Sequence, residues 1–145
     1  MPIIILLALC TLCYAAFEVF AGLAGNRVNS WLAAVLYNGI GTFVPLIIYL
    51  SLSHKGKTTV KGIVFAGLAG VAIMLFSLGL ARVFARGGEL NYVIPVIYGG
   101  AIVLSSLYGI FILKEKSGIL QSLGLLLVVG GIGCIVLAQT KLKIR

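Results

Sequence analysis

Read residue by residue, the chain is expected to be an all-α membrane protein of five transmembrane helices, on three grounds. The residues are 61% hydrophobic and only 10% charged, with a mean hydropathy of +1.21, far from the balance of a water-soluble domain. A soluble chain of 145 residues needs a charged surface over its core, and the charges here are too few to build one. The apolar residues gather into five runs, each about the 20 residues that cross a hydrocarbon core of about 30 Å as a helix. The 11 Lys and Arg fall almost wholly in the gaps between runs, so the net charge of +8 points to lipid headgroups and not to nucleic acid.

The runs place helices at 3–25, 30–52, 61–85, 90–113 and 117–139, together one transmembrane domain over 1–145. The first carries a single acid, Glu18; the second, fourth and fifth contain no Asp, Glu, Lys or Arg. Between them stand Asn26-Arg27, Ser53-His54-Lys55-Gly56-Lys57, Arg86-Gly87-Gly88-Glu89 and Lys114-Glu115-Lys116, which read as tight turns too short to hide a second domain. A β-barrel would need strands of about ten residues with alternating polarity, and these continuous runs lack it. The small residues from 21 to 25 also suit a cleavable signal peptide. Against that, no basic residue precedes Ile3, and Glu18 interrupts the apolar stretch. The expected location is a plasma or inner membrane, crossed several times.

Cys10 and Cys13 form a C-x-x-C on the first helix, without other metal ligands nearby, and read as small packing residues; Cys134 stands alone and His54 lies in a basic loop. Nothing resembles a nucleophile–base pair, a metal cluster or a nucleotide-binding loop, so neither enzymatic activity nor a cofactor is expected.

Glu18 stands out on physical grounds. An ionised carboxylate inside a bilayer costs several kcal/mol unless it is paired or hydrated, so an acid at that depth is a functional candidate by default. It can hold a proton and release it when a cationic substrate arrives. The bland reading is a protonated Glu bonded to a neighbouring helix or reaching for the interface. Tyr14, Ala21, Gly22 and Gly25 share its face at helical spacing. On the fourth helix the same rule aligns Asn91, Pro95, Tyr98, Ile102, Ser105 and Gly109, and Pro95 removes one backbone donor. Tyr14, Tyr98, Pro95, Ser105 and Asn38 are the candidates to line a site with Glu18. Tyr37, Tyr49, Tyr92 and Trp31 read as interfacial anchors. Arg82 has two readings, one toward headgroups and one toward an anionic group or Glu18 itself. The spacing Gly62-x-x-x-Ala66-x-x-x-Gly70, and Gly130, Gly131 and Gly133, allow close helix contact.

The basic residues also bear on orientation. With five helices, Lys55, Lys57, Lys61, Lys114 and Lys116 fall on one side and Arg27, Arg82, Arg86, Lys141, Lys143 and Arg145 on the other, five against six. An excess of Lys and Arg fixes the cytoplasmic side, so a near tie removes the main determinant of topology. The expectation is insertion in both orientations; a single orientation set by folding is the alternative. Many transporters are built from two inverted halves, and a chain with an odd number of helices that inserts both ways supplies both as an antiparallel homodimer.

The stretch from Leu90 onward carries Tyr92, Pro95, Tyr98-Gly99-Gly100, Tyr108-Gly109, Lys114-Glu115-Lys116, Gly124 and Gly130-Gly131-Ile132-Gly133. It looks like the last two helices of an EamA-like repeat, the unit of the drug/metabolite transporter superfamily. Residues Phe76 to Arg86 resemble the segment that leads into its Pro-bearing helix. Tyr14-Ala15-Ala16-Phe17-Glu18-Val19 is similar to the opening helix of the small multidrug resistance branch. That branch has four helices; five is half of a ten-helix exporter. The resemblance implies secondary transport of a cationic drug or metabolite by alternating access, with protons and substrate bound in turn at Glu18. Its partners are then the bilayer, a small molecule, protons and a second copy. A flippase for a lipid-linked sugar or phosphate, marked by an inward Arg82, and a non-transporting accessory subunit are the alternatives.

Reporter fusions at the C-terminus are expected to give signal from both sides of the membrane; signal from one side alone excludes dual insertion.

Overall fold

Five α-helices carry nearly the whole chain: α1 (Ile3–Ala24), α2 (Ser30–Ser51), α3 (Val60–Ala85), α4 (Leu90–Phe111) and α5 (Ile119–Lys143). The computed structural model describes residues 3–25, 27–52 and 58–143. Asn26, residues 53–57 and Arg145, read above as turn, loop or terminal residues, lie outside the described residues. Each helix is long and apolar enough to cross a membrane. At about 1.5 Å per residue, the 22-residue helices reach about 33 Å and the 26-residue α3 about 39 Å, against a core of about 30 Å.

The helix ends follow local chemistry. Asn29 caps α2 by accepting from the Trp31 N–H at 2.9 Å, and Thr59 caps α3 by accepting from the Gly62 N–H at 3.2 Å. At the end of α3, Gly87 has φ 81°, the left-handed conformation that glycine adopts freely. This lets Gly88 N–H bond Val83 O and Gly87 N–H bond Phe84 O, both at 3.0 Å, the paired bonds of a Schellman motif. The turn between α4 and α5 is wider than expected: α4 stops at Phe111 rather than 113, and α5 starts at Ile119 rather than 117. The cause is Lys114, which has φ 55°, so that Glu115 N–H turns back to Gly109 O at 3.0 Å. At its far end α5 continues past the expected 139 to Lys143.

Two compact units divide the chain, Met1–Gly88 with α1 to α3 and Glu89–Arg145 with α4 and α5. In the first, α3 is central and packs against both α1 and α2. Its buried side chains cluster where the end of α1, the start of α2 and the end of α3 meet: Ala21, Ala33, Ala34, Leu80, Ala81 and Phe84. Toward the opposite end, residues 3–16, 40–51 and 60–75 are all exposed. Cys10 and Cys13 fall in that stretch, so they are exposed and do not pack within the chain. Gly25 is the closest approach, because a Cβ built there would lie 2.6 Å from Phe84 Cβ and 2.9 Å from its backbone carbon. The small-residue stripe on α3 makes no such contact: Gly70 has nothing within 4 Å, and Gly62 meets only its own cap, Thr59.

In the second unit α4 packs on α5. Gly99 is buried, and a Cβ there would lie 2.6 Å from Ile132 Cδ1, so the missing side chain makes room for Ile132. Gln139 near the end of α5 donates to Glu89, just before α4, at 3.4 Å.

Gly25→Ala forces backbone to move and is expected to destabilise by about 1–3 kcal/mol. Gly39→Ala, with nothing within 4 Å, is expected to be neutral or slightly stabilising. Thermal unfolding of the two variants in one detergent checks the contrast.

Candidate functional site

The first unit holds a layer of polar groups inside otherwise apolar helices. Glu18 lies six residues before the end of α1, Asn38 eight after the start of α2, and Ser77 eight before the end of α3. Those three ends come together, so the groups stand about 9–12 Å in from one face of the unit. All sit within the hydrocarbon depth of a bilayer, short of its midplane.

Glu18 is only 9% exposed, on the buried face of α1 with Ala21 and Gly25. Of the expected stripe, Ala21 and Gly25 are buried and Gly22 is half-buried, whereas Tyr14 is not. The Glu18 carboxyl group forms no hydrogen bond or ion pair with another described residue. Tyr14, one turn earlier, is 40% exposed, and its ring stacks on Phe17 with centroids 6.1 Å apart. Phe17 in turn meets Tyr37 of α2 edge to face at 5.5 Å. Three aromatic rings thus run from α1 to α2 alongside the acid.

Asn38 ties α2 to α3. Its Nδ2 donates to Ser77 Oγ and to Ala34 O, each at 2.7 Å, and Ser77 Oγ donates to Met74 O at 2.9 Å. Both side-chain protons of the amide are therefore used, and Ser77 acts as acceptor and donor at once. Next to this clamp an open groove of about 460 Å³ runs along α2, lined by Val35, Asn38, Gly39, Thr42, Phe43 and Leu46.

Arg82 is exposed and makes a contact that neither of its two readings named. Its guanidinium lies 4.4 Å from the ring centroid of Trp31, which joins the last turn of α3 to the first turn of α2. Such a cation–π contact at an exposed site is worth about 0.5–1 kcal/mol. Both residues are exposed near helix ends, the position expected of an interfacial Trp.

The candidates on α4 belong to the second unit. Pro95 and Tyr98 are half-buried, and Pro95 leaves the carbonyl of Asn91 without its usual donor one turn on. Ser105 is exposed and donates to Ile102 O of its own helix at 3.1 Å. In the later part of α4, Gly99 and Gly109 are buried and residues 103, 106 and 110 half-buried, so the stripe read from the sequence keeps Gly109 inward while Ile102 and Ser105 are exposed.

Two residues were missed. Tyr37, read as an interfacial anchor, has a buried hydroxyl with no hydrogen-bond partner among the described residues. It stands seven residues into α2, about 10 Å deep, and the ring of Phe17 holds it there. Ser77 was the other, and its signal was available: it is the one uncharged polar side chain in α3.

Five spans with a sparse polar layer inside one unit define a multi-pass membrane protein. No family model, curated protein or solved structure matches the chain closely enough to narrow that class.

Helix–helix hydrogen bonds in membranes average about 0.6 kcal/mol, with a maximum near 1.7. A double-mutant cycle of Asn38→Ala and Ser77→Ala is expected to give a coupling energy in that range. Strict additivity in reversible unfolding contradicts the clamp.

Proposed function

We propose that the chain is a secondary transporter of the EamA-like type, moving a small cationic molecule by alternating access as an antiparallel homodimer and coupled to protons through Glu18. One observation carries the reading: a buried carboxyl group without a partner among the described residues, in a chain whose other two acids, Glu89 and Glu115, stand outside the helices. A carboxyl group in that position can bind a proton or a cation, and the two compete for the same oxygens. The aromatic run of Tyr14, Phe17 and Tyr37 suits the same ligand, because ring faces attract an organic cation when water is excluded.

Asn38 and Ser77 hold the layer by linking two helices, a bond that a rocking motion of α2 on α3 must keep or exchange. The near tie of basic residues supports two inverted copies, each bringing one Glu18 to a shared chamber. Arg82, held over Trp31, is assigned a role at the helix ends, and this weighs against a flippase built on that guanidinium.

Proteoliposomes test the proposal with tetraphenylphosphonium, a lipophilic cation, as probe. Uptake driven by a proton gradient is expected in the native protein, and Glu18→Gln is expected to abolish it while leaving the helical circular dichroism unchanged. Uptake of equal rate and equal proton dependence in the variant removes Glu18 from the mechanism.

A further inference from the structure

The second unit contains a feature that transport through Glu18 does not use. Between α4 and α5 runs an apolar crevice of about 470 Å³. Val103 and Phe111 line it from α4, Leu125 and Val129 from α5, and Ser117 and Ser122 stand at the end that adjoins the turn between the helices. The eleven residues from Ile119 to Val129 span about 15 Å, the depth of one leaflet.

The charge at that end is one-sided. Lys114 and Lys116 flank the turn, both exposed, and neither forms an ion pair with another described residue. The acid between them is directed elsewhere. Glu115 folds back against α4, so that a Cβ on Gly109 would lie 2.6 Å from its Oε2, and its N–H donates to Gly109 O at 3.0 Å. The start of α5, with the partial positive charge of a helix N-terminus, adds to the same field. Ser117 and Ser122 line the crevice at its end next to the turn that carries Lys114 and Lys116.

We propose that this crevice is a binding site for an anionic phospholipid, one acyl chain lying between α4 and α5 and the phosphate held by Lys114 and Lys116. A neutral or zwitterionic lipid would fill the same slot but gain little from the two ammonium groups; an anionic headgroup gains from both. The site sits wholly within the second unit and stands whether or not Glu18 carries protons.

The test uses the full chain with its one tryptophan moved: Trp31→Phe removes the native indole and Phe111→Trp places a reporter at the crevice. The protein is reconstituted in mixtures of phosphatidylcholine and phosphatidylglycerol, one of the two brominated in its acyl chain as quencher. Brominated phosphatidylglycerol is expected to compete for the reporter at least about fivefold better than phosphatidylcholine. K114Q/K116Q is expected to erase that preference, with quenching in pure phosphatidylcholine unchanged as the check on folding, whereas K114R/K116R keeps it. Ser122→Phe, which fills the crevice and leaves both lysines in place, is expected to lower quenching by either lipid. Soluble glycerol phosphate is expected to displace neither. Equal competition by the two lipids, a preference that survives loss of both lysines, or full quenching with the crevice filled overturns the proposal.

Discussion

A hydrocarbon slab offers no hydrogen bonds, and this constraint decides both what the chain can be and where its few polar groups matter. Backbone amides inside the slab must be satisfied within their own segment, so continuous apolar runs become helices. The same rule applies to side chains. Asn38 and Ser77 answer it by bonding each other and nearby carbonyls, Thr42 by bonding Asn38 O at 2.6 Å, and Ser105 by bonding Ile102 O. Glu18 has no such answer among the described residues. The proposed transport cycle consists of exchanging a proton for a cation at that carboxyl group.

The first unit shows how such a group can be held without a partner among the described residues. Small residues let the helix ends approach at Gly25 and Phe84, and the Trp31–Arg82 contact and the Asn38–Ser77 clamp fasten α2 to α3 near the same end. Rigid fastening at one end contrasts with the exposed residues 3–16, 40–51 and 60–75 toward the other. Exposed apolar surface on that scale requires lipid or another protein surface against it. A second, inverted copy is the cover that the proposed dimer provides.

Helix number and type were legible in the sequence because the thickness of the slab sets a length that any apolar run either meets or fails. The face of α1 that bears Glu18 was legible too, since small residues at spacings of three and seven mark where a neighbour can approach. Partnering between helices was not. Helices α2 and α3 are apolar all round, so no stripe marks the side each turns to the other, and Tyr37 and Ser77 acquire their roles only from that pairing. Likewise the glycine spacing on α3 predicted close contact, yet the tight approaches fall at Gly25 and Gly99, where a neighbouring side chain occupies the space. The shift of the α4–α5 turn rests on Lys114 in a left-handed conformation, which lysine does not advertise.

The central claim concerns one carboxyl group, and a chain with only three acidic residues allows that group to be observed directly. Solid-state NMR of protein labelled with ¹³C at its glutamate carboxyls, in bilayers at neutral pH, resolves Glu18 from Glu89 and Glu115 once each is assigned by substitution. Competition of proton and cation at Glu18 is predicted to shift its signal when tetraphenylphosphonium is added, while the other two signals stay fixed. A Glu18 signal that does not respond to the cation contradicts the proposed cycle.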